Sequence, residues 1–394
     1  MRALAIAIVL APAAAHAGGF AVPEQSITAA GTGGAGAARD DEAGAAWTNP
    51  AALADGGGWR VGVGVVAARP AVEGAAMDGS WHARTEGAWA TPPHLDLAWS
   101  RGAWTAGVAI GVPFGGGVAW PADWAGRFEI VSSQLLDGRI APFVGARVGA
   151  WRLAAGPHVD RVRLTVARQL DFIDAEGEAV VDVAGTGVGG HAAAWWSQGA
   201  LAIGATYKSR TRVAMTGGAD FETPPEFSGA APDQRARASI TLPDRLALGA
   251  AWRRGPWRAL ADVEVTLWGT YDQLTIDFAD AATRDVHQQN AWHTTTAVRA
   301  GGEYALGATT TLRVGAAIDP SPAPAGTLSP VAPDGLRWSL TAGGSARVAR
   351  GVMVDGFAEY LRVAARTTTS VETMPARYQG WAVLFGAGVR WGAR

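Results

Sequence analysis

No cysteine occurs in the 394 residues, which excludes a disulfide framework, thiol catalysis and any cysteine-based metal site. Lysine is scarce, and nearly all of the positive charge is arginine. The formal net charge is −2, so there is no basic field to hold nucleic acid. Long apolar runs are missing as well. No stretch of about 18 uncharged apolar residues is present, which argues against helical membrane spans. The seven histidines are scattered, and none falls in HExxH or another metal spacing. There is no GxSxG. Spacing does not reveal a serine and a histidine brought together on an outer wall, so a lipolytic barrel stays open as an alternative. No cofactor is expected.

Glycine and tryptophan stand out against these absences, at 53 and 18 residues. Mean hydropathy is +0.08, high for a soluble chain and low for a helical membrane protein. Alternation of lipid-facing and lumen-facing residues along strands gives such an intermediate value.

Residues 1–17 read as a secretory leader. Arg2 supplies the charged start, Ala3–Pro12 a short apolar core, and Ala15-His16-Ala17 a small-x-small cleavage site. Cleavage is expected after Ala17. Residues 18–55 then form a small-residue-rich segment with no steady helical or strand period. It is too apolar for a solvated tail and too small in side chain to bury a core, so it is expected to become ordered inside something larger. Within it, Gly31-Thr32-Gly33-Gly34-Ala35-Gly36 matches GxGxxG by letter. A dinucleotide site needs a strand before it, a helix after it and an acidic residue further on, and that frame is missing. Compact turns are the better reading of Gly31, Gly33 and Gly36. Asp40, Asp41 and Glu42 read as carboxylates near a channel mouth or bonded to amides, not as a metal site.

From Trp59 onward the pattern is period two. Trp59, Val61, Val63 and Val65 alternate with Arg60, Gly62 and Gly64, and Leu95, Leu97 and Trp99 alternate with Asp96 and Ser100. Trp59, Trp99, Trp104, Trp151, Trp252, Trp257, Trp292, Trp338 and Trp391 fall near predicted strand ends, where membrane interfaces favour the ring. Roughly fourteen such segments are predicted, an even number that lets a bacterial barrel close. The fold class is therefore all-β: a transmembrane antiparallel barrel over 56–394, with 18–55 as a hatch plugging its lumen. Pro113–Phe128 reads as an extracellular loop whose Trp120, Trp124 and Phe128 either line a groove for an acyl chain or pack the loop itself.

Several short motifs carry a resemblance. Gly19-Phe20, Asp40-Asp41 and Asn49-Pro50-Ala51 open it. Tyr207-Lys208-Ser209, Leu242-Pro243 and Leu267-Trp268 with Tyr271 follow in order. Asp319-Pro320-Ser321-Pro322-Ala323-Pro324 and then Pro333-Asp334-Gly335-Leu336-Arg337 complete it. Together they resemble the FadL/TodX family of outer-membrane channels for long-chain fatty acids and other hydrophobic compounds. The resemblance implies a monomeric Gram-negative outer-membrane barrel in contact with outer-membrane lipid. Its ligands would be long-chain fatty acids or aromatic hydrocarbons, leaving laterally through a kinked wall near Gly107–Pro113. Phe20, Trp120, Trp124 and Phe128 are candidate ligand contacts, with Lys208 and Arg245 as partners for a carboxylate head. Gly31, Gly33, Gly36, Asn49, Pro50 and Ala51 are the candidate hatch and gate residues. A general porin for small polar solutes is the rival reading; it would want charged rings around an open lumen.

Overall fold

The structure is a computed structural model, and it describes residues 18–40, 42–228, 231–370, 374 and 376–392. The expected leader and Asp41 lie outside these residues.

Among the described residues, nineteen strands form one antiparallel sheet closed on itself. The first seven are β1 (Gly56–Ala76), β2 (His82–Arg84), β3 (Pro93–Gly102), β4 (Trp104–Ala119), β5 (Ser132–Val148), β6 (Trp151–Asp171) and β7 (Glu176–Gln198). Next come β8 (Leu201–Lys208), β9 (Thr211–Glu222), β10 (Gln234–Leu242), β11 (Arg245–Arg254), β12 (Trp257–Thr266) and β13 (Gln273–Phe278). The last are β14 (Val286–Gln289), β15 (Thr295–Leu306), β16 (Thr310–Asp319), β17 (Arg337–Ala349), β18 (Val352–Thr367) and β19 (Ala376–Gly392). Pairing of β1 with β19, from Arg60–Gly392 to Ala76–Ala376, closes the ring. Closure leaves no free edge along that seam, as a strand wall in lipid requires.

The ring has fourteen traverses, because five of them are broken into two ladder segments. One break falls between β2 and β3, and the other four lie in one sector, between β8 and β9, β10 and β11, β12 and β13, and β14 and β15. One half of this sector runs β8–β11–β12–β15, and the other runs β9–β10–β13–β14.

At one end of the ring the connections are one to three residues long, with glycine at positive φ in turns such as Gly102 (+60°) and Gly149 (+62°). At the other end they are longer; residues 320–336 make one of them. Short turns face the periplasm and long loops the exterior in such barrels. The outer face carries exposed apolar side chains, among them Val63, Val144, Leu153, Val188, Leu248 and Val314. Trp59 and Trp99 lie together near the short-turn end, as do Trp151 with Trp196 and Trp257 with Tyr304. Trp292 is an exception to the expected girdle: it is buried inside.

The stretch expected as a loop from Pro113 is strand as far as Ala119. Three consecutive glycines, Gly115-Gly116-Gly117, erase the alternation that would have marked it. The register between β4 and β5 slips between Gly111 and Phe114, around Pro113, which has no N–H to give. On the other side, the ladder from β3 to β4 ends at Leu95–Ile110, while residues 90 and 92 pair with β1 instead. A seam therefore opens beside the upper half of β4.

Candidate functional site

The described residues of 18–55 are mostly buried and bond to the ring on several sides. The segment has two single-turn helices, α1 (Ile27–Ala30) and α2 (Ala45–Thr48), and a 3-10 turn over Pro50–Leu53. Ser26 caps the first and Asn49 the last, each accepting a backbone N–H through its side-chain oxygen. With little regular structure, its polar groups must find partners on the wall.

They do so at several points around the ring. Near its start, Gly115 N–H donates to Phe20 O and Val22 N–H to Pro113 O, so the segment runs as an extra strand along the kinked part of β4. The Gln25 amide takes the place of a peptide group there, donating to Val112 O at 2.7 Å and accepting from Val112 N–H at 2.8 Å. Gly33 N–H donates to Thr341 Oγ1, and the Gly36 and Ala37 N–H groups both reach Asp262 Oδ2 at 2.7 and 2.8 Å. Arg39 is fully buried and donates to Glu303 Oε1 at 2.8 Å; Glu303 also accepts from Arg313. Asp40 pairs with Arg258, and Glu42 with Arg39. Asn49 donates to Ala37 O at 2.6 Å within the segment and to Ala194 O of β7 at 3.1 Å. Glycines permit the close approach: a Cβ on Gly204 would stand 1.8 Å from Ala37 O, and one on Gly315 would stand 2.2 Å from Gly33 N.

Above this segment, on the long-loop side, lies a cavity of about 400 Å³. Its wall is aliphatic and aromatic, with Leu135, Leu164, Val181, Ile276 and Phe278, and Gly19 and Phe20 reach it from the N-terminal segment. Phe20 packs against Phe114, Trp268, Tyr271 and Trp292 at ring-centroid distances of 4.8–5.7 Å, in edge-on or tilted arrangements. Arg168 and Arg284 also line the cavity, and Arg168 makes no ion pair among the described residues.

The expected site residues divide. Phe20 lines this cavity; Trp120, Trp124, Phe128, Lys208 and Arg245 do not. Trp120 and Trp124 stack on each other and are buried, one donating to Pro330 O and the other to Ile130 O. Both rings pack the loop against its neighbours. Phe128 carries the Arg127 guanidinium on its ring. Lys208 donates to Trp47 O of the segment and lies over its indole ring, and Arg245 is bound to Glu264. Gly31, Gly33 and Gly36 lie against Arg313, β16 and Thr48. The residues that sequence reasoning did not single out are Gln25, Arg39, Phe114, Asp262 and Glu303. A charged residue on the inward parity of a strand, as Asp262 and Glu303 are, was the available signal.

The family model for outer membrane protein transport proteins (OMPP1/FadL/TodX) matches residues 8–392. The chain belongs to this family. Its members are outer-membrane β-barrels, and the closed ring above is that architecture. A crystal structure of a Pseudomonas aeruginosa FadL homologue superposes with a TM-score of 0.85 at 19% identity, covering 95% of this chain and 99% of that one. The P. putida toluene transporter TodX gives 0.75 at 16% identity over 95% and 98%. A monoaromatic hydrocarbon channel, CymD, gives 0.73 at 17% identity over 97% and 99%. At these identities the likeness establishes the fold. A search of curated proteins by sequence found no match.

Proposed function

We propose that this chain is an uptake channel for hydrophobic compounds, with long-chain fatty acids as the ligand class. The observation that carries this reading is the apolar cavity of about 400 Å³ seated on the Phe20 floor. A cavity of roughly 150 Å³ already suffices for one benzene ring, so this one has room for a longer solute. Each buried methylene contributes about 0.8 kcal/mol, which favours an acyl chain over a single ring. Arg168 offers the cavity a cation for a carboxylate end.

A solute of this kind enters from the long-loop side, because the N-terminal segment fills the lumen below. Release follows the seam beside β4, where the β3 ladder has ended and the Phe20–Gln25 strip covers the kink. Gly115 and Gly117 keep that wall thin. The apolar solute then passes into lipid without crossing water, and no aqueous pore is required.

Mass spectrometry of ligands carried through purification from outer membranes tests the class. Fatty acids should be found, and Arg168→Met should weaken binding of the acid about tenfold while leaving the corresponding alcohol unchanged, the scale of one charged hydrogen bond. Recovery of aromatic hydrocarbons in place of acids, or equal losses for acid and alcohol, would assign the cavity to neutral ligands like those named for TodX and CymD. High single-channel conductance in the intact protein would instead support a polar porin.

A further inference from the structure

Gly18 donates its backbone N–H to Asp334 Oδ1 at 2.9 Å, a contact spanning 316 residues of sequence. Both residues are buried. The carboxylate is held in place from other sides, with Oδ2 accepting from Ser321 Oγ at 2.6 Å and Oδ1 accepting Gly335 N–H at 2.9 Å. The slot around Gly18 has no room for a side chain. A Cβ there would fall 1.5 Å from Arg337 Nη2, and one on Gly19 would fall 2.5 Å from the Trp268 ring. Gly18 also has φ of +86°, which a side chain would strain. Gly19, Phe20 and Asp334 all line the large cavity, so this slot and the cavity floor are one structure.

The leader pattern ends at Ala17, immediately before this nitrogen. Hydrolysis of the Ala17–Gly18 peptide bond consumes one water and leaves a carboxylate on Ala17 and an amine on Gly18. An α-amine has a pKa near 8, so at neutral pH it is mostly protonated, a cation with three N–H donors instead of one.

We propose that the α-ammonium group created at Gly18 by leader removal is the resident ligand of Asp334, and that its capture seats Gly19 and Phe20 as the cavity floor. The inference rests on the leader reading and on the cavity being the binding site. Among the described residues Asp334 makes no ion pair, and its hydrogen-bond donors are all neutral. Arg337 is already taken up with Asp319 at 3.5 Å. Burial pushes the Asp334 carboxyl above its ordinary range, and an adjacent ammonium draws it back down. A chain that kept its leader would offer the same carboxylate one neutral N–H, and the floor would be held less firmly. Processing thus completes the channel as well as releasing it.

Two variants of the full exported chain test this. One inserts a single alanine between Ala17 and Gly18, which moves the amine by one residue and keeps the Gly18 N–H. The other is Asp334→Asn, which keeps the shape and removes the charge. N-terminal sequencing locates the amine in each, and heat-modifiable gel migration reports the barrel. Hydrogen exchange across Gly19–Gln25 is the readout, because ligand binding would not separate this inference from the proposed function. Both variants should exchange about tenfold or more faster there, the scale of losing one charge-assisted hydrogen bond, with the strands unchanged. The combined variant should be no faster than the quicker of the two. Wild-type exchange in the insertion variant would overturn the proposal, since an amide N–H would then suffice. A native amino terminus other than Gly18 would overturn it equally. Should Asp334→Asn fail to assemble, the insertion variant decides alone.

Discussion

Replacing Asn49 by alanine removes a side chain that joins the N-terminal segment to the wall. Asn49 is fully buried. Its amide donates to Ala37 O at 2.6 Å and to Ala194 O at 3.1 Å, and its Oδ1 accepts Ala51 N–H at 3.2 Å. The alanine variant leaves two carbonyls and one N–H without these partners. Each net bond is worth about 1 kcal/mol, and leaving a buried group unpaired costs about 1–3 kcal/mol. Some of this is recovered by water or small shifts, so a loss of about 3 kcal/mol in segment retention is the expected scale. At 1.4 kcal/mol per factor of ten, that is roughly a hundredfold rise in the opening equilibrium. The barrel ladders do not use Asn49, so heat-stable migration on gels should persist. Hydrogen exchange over residues 31–46 should rise by about that factor. Asn49→Asp, which sets a carboxylate oxygen against the Ala37 and Ala194 carbonyls, should open the segment at least as far. Unchanged exchange in Asn49→Ala with normal uptake would refute the anchor and leave Asn49-Pro50 as an ordinary turn.

Gly204→Ala approaches the same contact from the barrel: its Cβ would stand 1.8 Å from Ala37 O, so single-channel conductance should rise as the segment is pushed off the wall. Arg39→Met strips the buried Glu303 of one of its cations, and a loss of about 3 kcal/mol in segment retention is expected, read as faster exchange over the same residues. Burial, the largest influence on Glu24, holds its carboxyl above the ordinary 4.5 despite Arg337 and Arg299. The seated segment therefore keeps a proton that the released one gives up, and retention should weaken as pH climbs above that ordinary value towards the raised one. Conductance measured between about pH 5 and pH 8 should show this slope, and Glu24→Gln should flatten it.

The period-two reading carried far because the wall obeys it: Val63 and Val65 face lipid while Gly62 and Gly64 face inward, as alternation demands. The number of traverses followed from the same pattern. The breaks within traverses did not, because alternation runs on across Ser209-Arg210 and Pro243-Asp244 while the ladder partner changes. The site was less legible for a related reason. Trp120 and Trp124 were conspicuous in sequence, yet a stacked pair of indoles with both N–H groups satisfied is a loop's own core. The floor under the cavity draws Phe20, Phe114, Trp268, Tyr271 and Trp292 from four separate stretches, and only closure of the ring brings them together. Lys208 and Arg245 drew attention as cations, but Trp47 O and Glu264 occupy them, away from the cavity lining.

The composition of the N-terminal segment explains how such a plug could be both firm and releasable. Most of its buried apolar side chains are alanine, so burial of apolar area holds it only weakly. Retention rests on directed bonds to Asp262, Glu303, Thr341, Val112 and Ala194, and water can replace each of these one at a time. Ile27, Trp47 and Leu53 are its larger apolar anchors below the floor, against strands away from the cavity. Phe20 is the large apolar side chain of this segment that lines the cavity, and it shares its aromatic neighbours Tyr271 and Trp292 with that space. On the proposed route, a solute that settles onto the floor competes with Phe20 for those same rings. Phe20 is also the residue whose carbonyl pairs with Gly115 beside the seam. Displacing its ring therefore strains the strip that covers the kink, and loading the cavity and loosening its exit become a single event.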